Sequence, residues 1–164
     1  MIVSLIFFII IFDQITKYLA IFYLKDKSSI ILIKNFLQLN YVENRGAAFG
    51  ILQNKQLPLI FFTILVVIFI TIFLIKNKRL SFLSRITLGG IIGGALGNLI
   101  DRIRLNFVVD FIDVRFGDIY DFPVFNVADS FLVVFTIILA ILVFFDKYER
   151  VDKFGNWFLY SRNW

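Results

Sequence analysis

The 164-residue chain contains no cysteine and no histidine. No disulfide, thiol redox centre, Cys-His pair, Ser-His-Asp triad or His-ligated metal site can therefore exist within it. Any catalysis must come from Asp, Glu, Lys, Ser, Thr, Tyr or the backbone. Charge is scarce as well, at 18% of residues against about a quarter in an ordinary soluble domain. Glutamate occurs only at Glu43 and Glu149, so the acidity is almost all aspartate. Apolar residues fill the gap: 60% of the chain is hydrophobic, 18% is aromatic, and mean hydropathy is +0.87. Gathered in long runs, that excess marks an integral membrane protein.

Four runs are long enough to matter, and they place spans at about 2–24, 57–75, 84–104 and 127–145. A span needs ~20 residues, which the first, second and fourth supply directly and the Gly-rich third supplies with its polar flanks. The first lacks a basic leader and a small-residue cleavage site and carries Asp13 and Lys17 mid-run, so it reads as a retained helix. Four spans put both termini on one side. Basic residues divide evenly, eight on each side, but the ten-residue loop Lys76–Arg85 holds four with no acid. That density places this loop and both termini in the cytoplasm. The net charge of +5 then reflects topology and contact with anionic lipid, not nucleic acid.

The loops at 25–56 and 101–126 consequently share the outer face. Leu37–Tyr41 alternates apolar and polar residues, and Phe107–Phe116 is rich in Val, Ile and Phe with an alternating second half. Both patterns predict strands, and together a small extended platform on the membrane surface. The third run carries Gly89, Gly93 and Gly97, with Gly90 and Gly94 offset by one. Small residues at that spacing let helix backbones approach closely, as a packed central helix or as a groove for a substrate backbone.

Polar residues in this apolar setting are the candidates for function. Asp13 and Lys17 form a pair one helical turn apart, either self-neutralising or supporting a site. Asn98, Asp101 and Arg102 lie near a span end, where the acid and the arginine are expected to pair with each other and with backbone. Two carboxylates lack so clear a local partner. Asp110 sits in Val108-Val109-Asp110-Phe111-Ile112, and Asp129 lies in the first turn of the fourth span. The loop between spans three and four brings both to one end of the bundle. Two carboxylates sharing a low-dielectric site hold one proton between them and can do general acid–base work. On the residues alone the plainer readings stay open: a solvated strand charge at Asp110, and a helix-dipole acid at Asp129.

Five stretches, in order along the chain, resemble the lipoprotein signal peptidase (signal peptidase II) family. They are Asp13-Gln14-Ile15-Thr16-Lys17, Asn44-Arg45-Gly46-Ala47-Ala48-Phe49-Gly50, Gly94 to Arg102, Val108-Val109-Asp110-Phe111, and Phe125-Asn126-Val127-Ala128-Asp129-Ser130. The tail after Phe145 carries none of the family pattern. The resemblance implies a single domain over 1–164, with an all-α four-transmembrane-helix bundle and a small periplasmic β-cradle from the two outer loops. It implies an aspartic endopeptidase of the bacterial inner membrane that cuts prolipoproteins just before the diacylglyceryl-modified Cys of the lipobox. The catalytic pair would be Asp110 and Asp129, supported by Asp13, Lys17, Asn44, Arg45, Gly46, Asn98, Asp101, Arg102 and Asn126. It implies no cofactor, inhibition by globomycin, and lipidated prolipoproteins and membrane lipid as partners; nothing in the sequence demands more than a monomer. Gly46-Ala47-Ala48 would leave room for a docking backbone. The aromatic stretch Phe154–Tyr160 reads as an interfacial anchor.

Other classes make different demands. A proton-relaying transporter would spread acids through the membrane depth. A presenilin-like protease would carry Gly-x-Gly-Asp, which is absent. A Gly-zipper assembly protein would need no reactive acid at all.

Overall fold

A computed structural model describes residues 1–46, 53–117 and 119–150. Ala47, Ala48 and the aromatic stretch at 154–160 lie outside these residues. Four helices are long and apolar enough to cross a membrane: α1 (Ile2–Leu24), α2 (Gln56–Lys76), α3 (Phe82–Leu105) and α4 (Val127–Phe144). Between α1 and α2 lie β1 (Ile30–Ile33) and β2 (Leu37–Asn44); between α3 and α4 lie β3 (Val108–Phe116) and β4 (Tyr120–Asp121). The observed helices match the expected spans to within two residues at each end.

α3 is the axis of the bundle and packs against α1, α2 and α4. Its glycines explain how. A Cβ on Gly89, Gly93 or Gly97 would strike Ile2, Ile9 or Asp13 of α1, and one on Gly90 or Gly94 would strike Phe135 or Ala128 and Leu132 of α4. The two offset rows thus serve two different neighbours. Lipid gives no hydrophobic drive between helices, so this close packing supplies much of the association. α1 turns one stripe inward, Ile9, Asp13, Lys17, Ala20 and Leu24, at the three- and four-residue spacing of a single helix face. α2 buries none of its residues within the protein, as its uncharged, all-round apolar sequence requires of a lipid-facing helix. Its Thr63 and Thr71 hydroxyls donate to the carbonyls of Leu59 and Val67, one turn back, which satisfies them without water.

The strands form one antiparallel sheet in the order β1-β2-β3-β4. β2 and β3 fall on the two segments whose patterns predicted strands; β1 and β4 were not foreseen. β1, Ile30-Ile31-Leu32-Ile33, is exposed along its length and has no alternation to reveal it. β3 reads as an apolar run in its first half because Val108 to Phe111 are buried on both faces. Ala20, Leu24, Val109 and Phe111 form a core where α1 meets the sheet. Ile112 then exchanges backbone hydrogen bonds with Phe125, N–H to carbonyl at 2.8 Å and the reverse at 3.0 Å. That bridge draws the start of α4 against β3, and so Asp129 toward Asp110.

Candidate active site

The site gathers where the middle of α1, the last turns of α3, the start of α4 and the paired strands β2 and β3 meet. Asp110 is 1% exposed, which removes the reading of a solvated strand charge. Its Oδ1 accepts from the Asn126 amide at 2.6 Å and its Oδ2 from the Asn44 amide at 2.8 Å. Val42 of β2 lies opposite Asp110 in the ladder, so Asn44, two residues on, projects from the same face. Gly46 fixes that side chain by donating its N–H to Asn44 Oδ1 at 3.0 Å.

Asp129 is only partly buried. Its Oδ2 accepts the Asn126 N–H at 3.2 Å, while Asn126 Oδ1 accepts the Asp129 N–H at 2.9 Å, a reciprocal cap on α4. Asp129 is therefore a first-turn helix acid and also a site acid, because its Oδ1 accepts from the Asn98 amide at 2.7 Å. Asn126 joins the two carboxylates. With Oδ1 committed to the cap, its amide nitrogen must point away, toward Asp110 and, at 3.1 Å, Asn98 Oδ1.

Below this layer lies an ionic one. Lys17 Nζ contacts Asp13 Oδ2 at 2.9 Å, Asp101 Oδ2 at 3.0 Å and Asn98 Oδ1 at 2.9 Å. All four residues are buried. The expected pairing of Asp101 with Arg102 is not what forms. Neighbouring residues on a helix point about 100° apart, so Asn98 and Asp101 converge on Lys17 while Arg102 turns aside to donate to the Gly46 carbonyl at 3.3 Å. Arg45 lies at the rim, paired with Glu43 at 2.8 Å and stacked over the Phe107 ring. Its hydrogen bond holds the Glu43 carboxyl below the usual range.

Gln14, within the first motif but given no role there, donates to Asp101 Oδ1 at 2.8 Å. The N–H groups of Ala128 and Val109 also enter the network, onto Asp13 and Asp101. No side-chain motif signals a backbone donor, so only the fold reveals them.

Burial, reinforced by the Asp129 charge, pushes the Asp110 carboxyl up to about 7, against the opposing hydrogen bonds of Asn44 and Asn126. One acid is thus disposed to hold a proton near neutrality beside a second carboxylate. That is the arrangement general acid–base chemistry requires. Asp101, Asp110 and Asp129 lie toward one end of the bundle, and the Lys17 network joins them to Asp13 at the middle of α1.

Fold and site together define a four-span membrane protein with a buried aspartate and asparagine cluster beneath a small surface sheet. The model of a family described as signal peptidase (SPase) II matches residues 5–145. The lipoprotein signal peptidase of Caldanaerobacter subterraneus subsp. tengcongensis is 53% identical over 146 residues, 88% of this chain and 97% of that protein. The lipoprotein signal peptidase of Staphylococcus aureus is 40% identical over 147 residues, 89% of each. A bacterial membrane enzyme solved by the in meso method at 2.3 Å resolution superposes with a TM-score of 0.80 at 38% identity, covering 93% of this chain and 94% of its own. The chain belongs to the signal peptidase II family.

Proposed function

We propose that this protein is a membrane aspartic endopeptidase that removes the signal peptide from bacterial prolipoproteins, cutting before the diacylglyceryl-modified Cys of the lipobox. The observation that carries this reading is the joining of Asp110 and Asp129 through Asn126 in a buried site at one end of the bundle. In the reaction, the ionised carboxylate takes a proton from water, whose oxygen attacks the scissile carbonyl. The protonated carboxyl donates a hydrogen bond to that carbonyl oxygen. Collapse of the tetrahedral intermediate breaks the C–N bond, and a dyad proton passes to the leaving amine nitrogen. Asn44, Asn98 and Asn126 hold the carboxylates; Asp13, Lys17, Asp101, Arg102 and Gly46 hold the asparagines and the backbone; Arg45 borders the entrance.

The same reading places the protein in the inner membrane, as a monomer, with both termini cytoplasmic and the site at the outer face. The densely basic loop before α3 lies at the end of the bundle opposite the sheet, which supports that orientation. The substrate's acyl chains and signal helix would hold the scissile bond at the depth of the dyad, and globomycin is the expected inhibitor.

Asp110→Asn and Asp129→Asn test the proposal. Each should abolish maturation of a lipidated prolipoprotein while the protein still inserts and accumulates. Normal maturation by either well-expressed variant would remove the dyad assignment.

A further inference from the structure

Lys17 has three donors, and each of its three acceptors passes a further bond to the site. Asp13, held through Oδ2, accepts the Ala128 N–H on its other oxygen at 2.9 Å. Asp101, held through Oδ2, accepts the Val109 N–H on that oxygen at 3.1 Å. Asn98, held through Oδ1, donates to Asp129. Ala128 immediately precedes Asp129, and Val109 immediately precedes Asp110. One ammonium group therefore ties down the backbone on the N-terminal side of both dyad acids. The Ala128 N–H is one of the first-turn donors of α4 that the helix cannot satisfy for itself. Here an α1 carboxylate, more than a hundred residues away in sequence, satisfies it. Lys17 also decides the orientation of Asn98, since an ammonium offers only donors and must face the amide oxygen.

We propose that Lys17, with Asp13 and Asp101, is a positioning clamp that sets the separation of Asp110 and Asp129 through the backbone preceding each acid. The proposal rests on the peptidase reading above and adds how the dyad geometry is fixed. A buried ion triplet could instead serve the stability of the bundle alone, and the two roles differ in what their loss disturbs. Loss of stability lowers the amount of active enzyme without changing the kcat of the molecules that stay folded. Loss of the clamp lowers kcat itself, because the two acids are then held at the wrong separation. The charges facing Asp110 are Asp129 from α4, Lys17 from α1 and Arg102 from α3; β2 presents the neutral Asn44.

The test is the paired variant Lys17→Met with Asp13→Asn, which removes one charge of each sign and leaves the net charge of the cluster unchanged. It is read on folded, purified enzyme by kcat against KM. kcat should fall by about 10²-fold with KM changed far less; the basic limb of the pH profile carries two opposed effects, since the Asp129 charge raises the Asp110 carboxyl and the Lys17 charge lowers it. A folded variant with kcat within threefold of wild type would overturn the clamp. Where the pair does not fold, Asp101→Ala, which takes the acceptor from the Val109 N–H, is read by kcat against KM; equal values to wild type would overturn it equally. Active Asp110→Asn or Asp129→Asn enzyme would instead remove the peptidase mechanism, whatever the clamp variants do.

Discussion

Gly97 and Asp13 meet so closely that no side chain fits between them: a Cβ on Gly97 would lie 2.7 Å from Asp13 Oδ2. The glycine therefore admits a carboxylate to the interface of α1 and α3, and links the packing of the bundle to its charge network. Gly97→Ala should push Asp13 off Lys17 or separate the helices. Overpacking of this kind costs about 1–3 kcal/mol, and cleavage should fall with it. Thermal unfolding in detergent alongside a cleavage assay checks both. Wild-type values for both would mean that the contact relaxes freely.

Asn126 has two roles that substitution can part. Asn126→Ser retains an oxygen able to cap α4, whereas Asn126→Ala removes the cap at a cost of ~1 kcal/mol. Both lose the amide that joins Asp110 to Asn98. Turnover should thus fall by about 10²-fold in both variants, while only the alanine variant loses appreciable stability. Retained turnover in the serine variant would show that the amide is dispensable.

The pH response follows from Asp110. Its carboxyl is pushed up to about 7, so it stays protonated below that value and ionises above it. A dyad that needs one proton should lose kcat/KM as pH rises through about 7, by about tenfold per unit beyond. The sign for stability is the same. The folded state holds this proton more tightly than an unfolded chain with an ordinary carboxyl, so the contribution is present at low pH and fades as pH climbs to about 7. A kcat/KM profile flat from pH 6 to 9 would contradict the assignment.

Away from the site, Gly90 lies against the Phe135 ring with no space for a methyl group. Gly90→Ala should destabilise the contact of α3 with α4, and adding Phe135→Ala should restore part of the loss by making room. Unfolding midpoints of the single and double variants measure the coupling. Independent, additive effects would show that the two helices do not pack here.

Orientation is open to a direct experiment because the chain has no cysteine of its own. A single Lys78→Cys substitution creates one unique thiol in the basic loop. A membrane-impermeant maleimide should label it only after cells are permeabilised. Labelling of intact cells would invert the proposed topology.

Much of this protein was legible in the sequence by itself. The lengths and apolarity of the runs determined four spans, because a bilayer admits little else at that length. Missing His and Cys left the carboxylates, and the glycine spacing in α3 marked a close-packed helix. Five ordered motifs carried the family resemblance, which the comparisons bear out. The tertiary structure decided who meets whom. Asp101 turns to Lys17 and not to Arg102, Asp129 serves both a helix cap and the site, and the N–H groups of Ala128 and Val109 become partners of acids on other helices. The reason is physical: these bonds join positions distant along the chain and depend on side-chain direction and on unsatisfied backbone, neither of which residue type records.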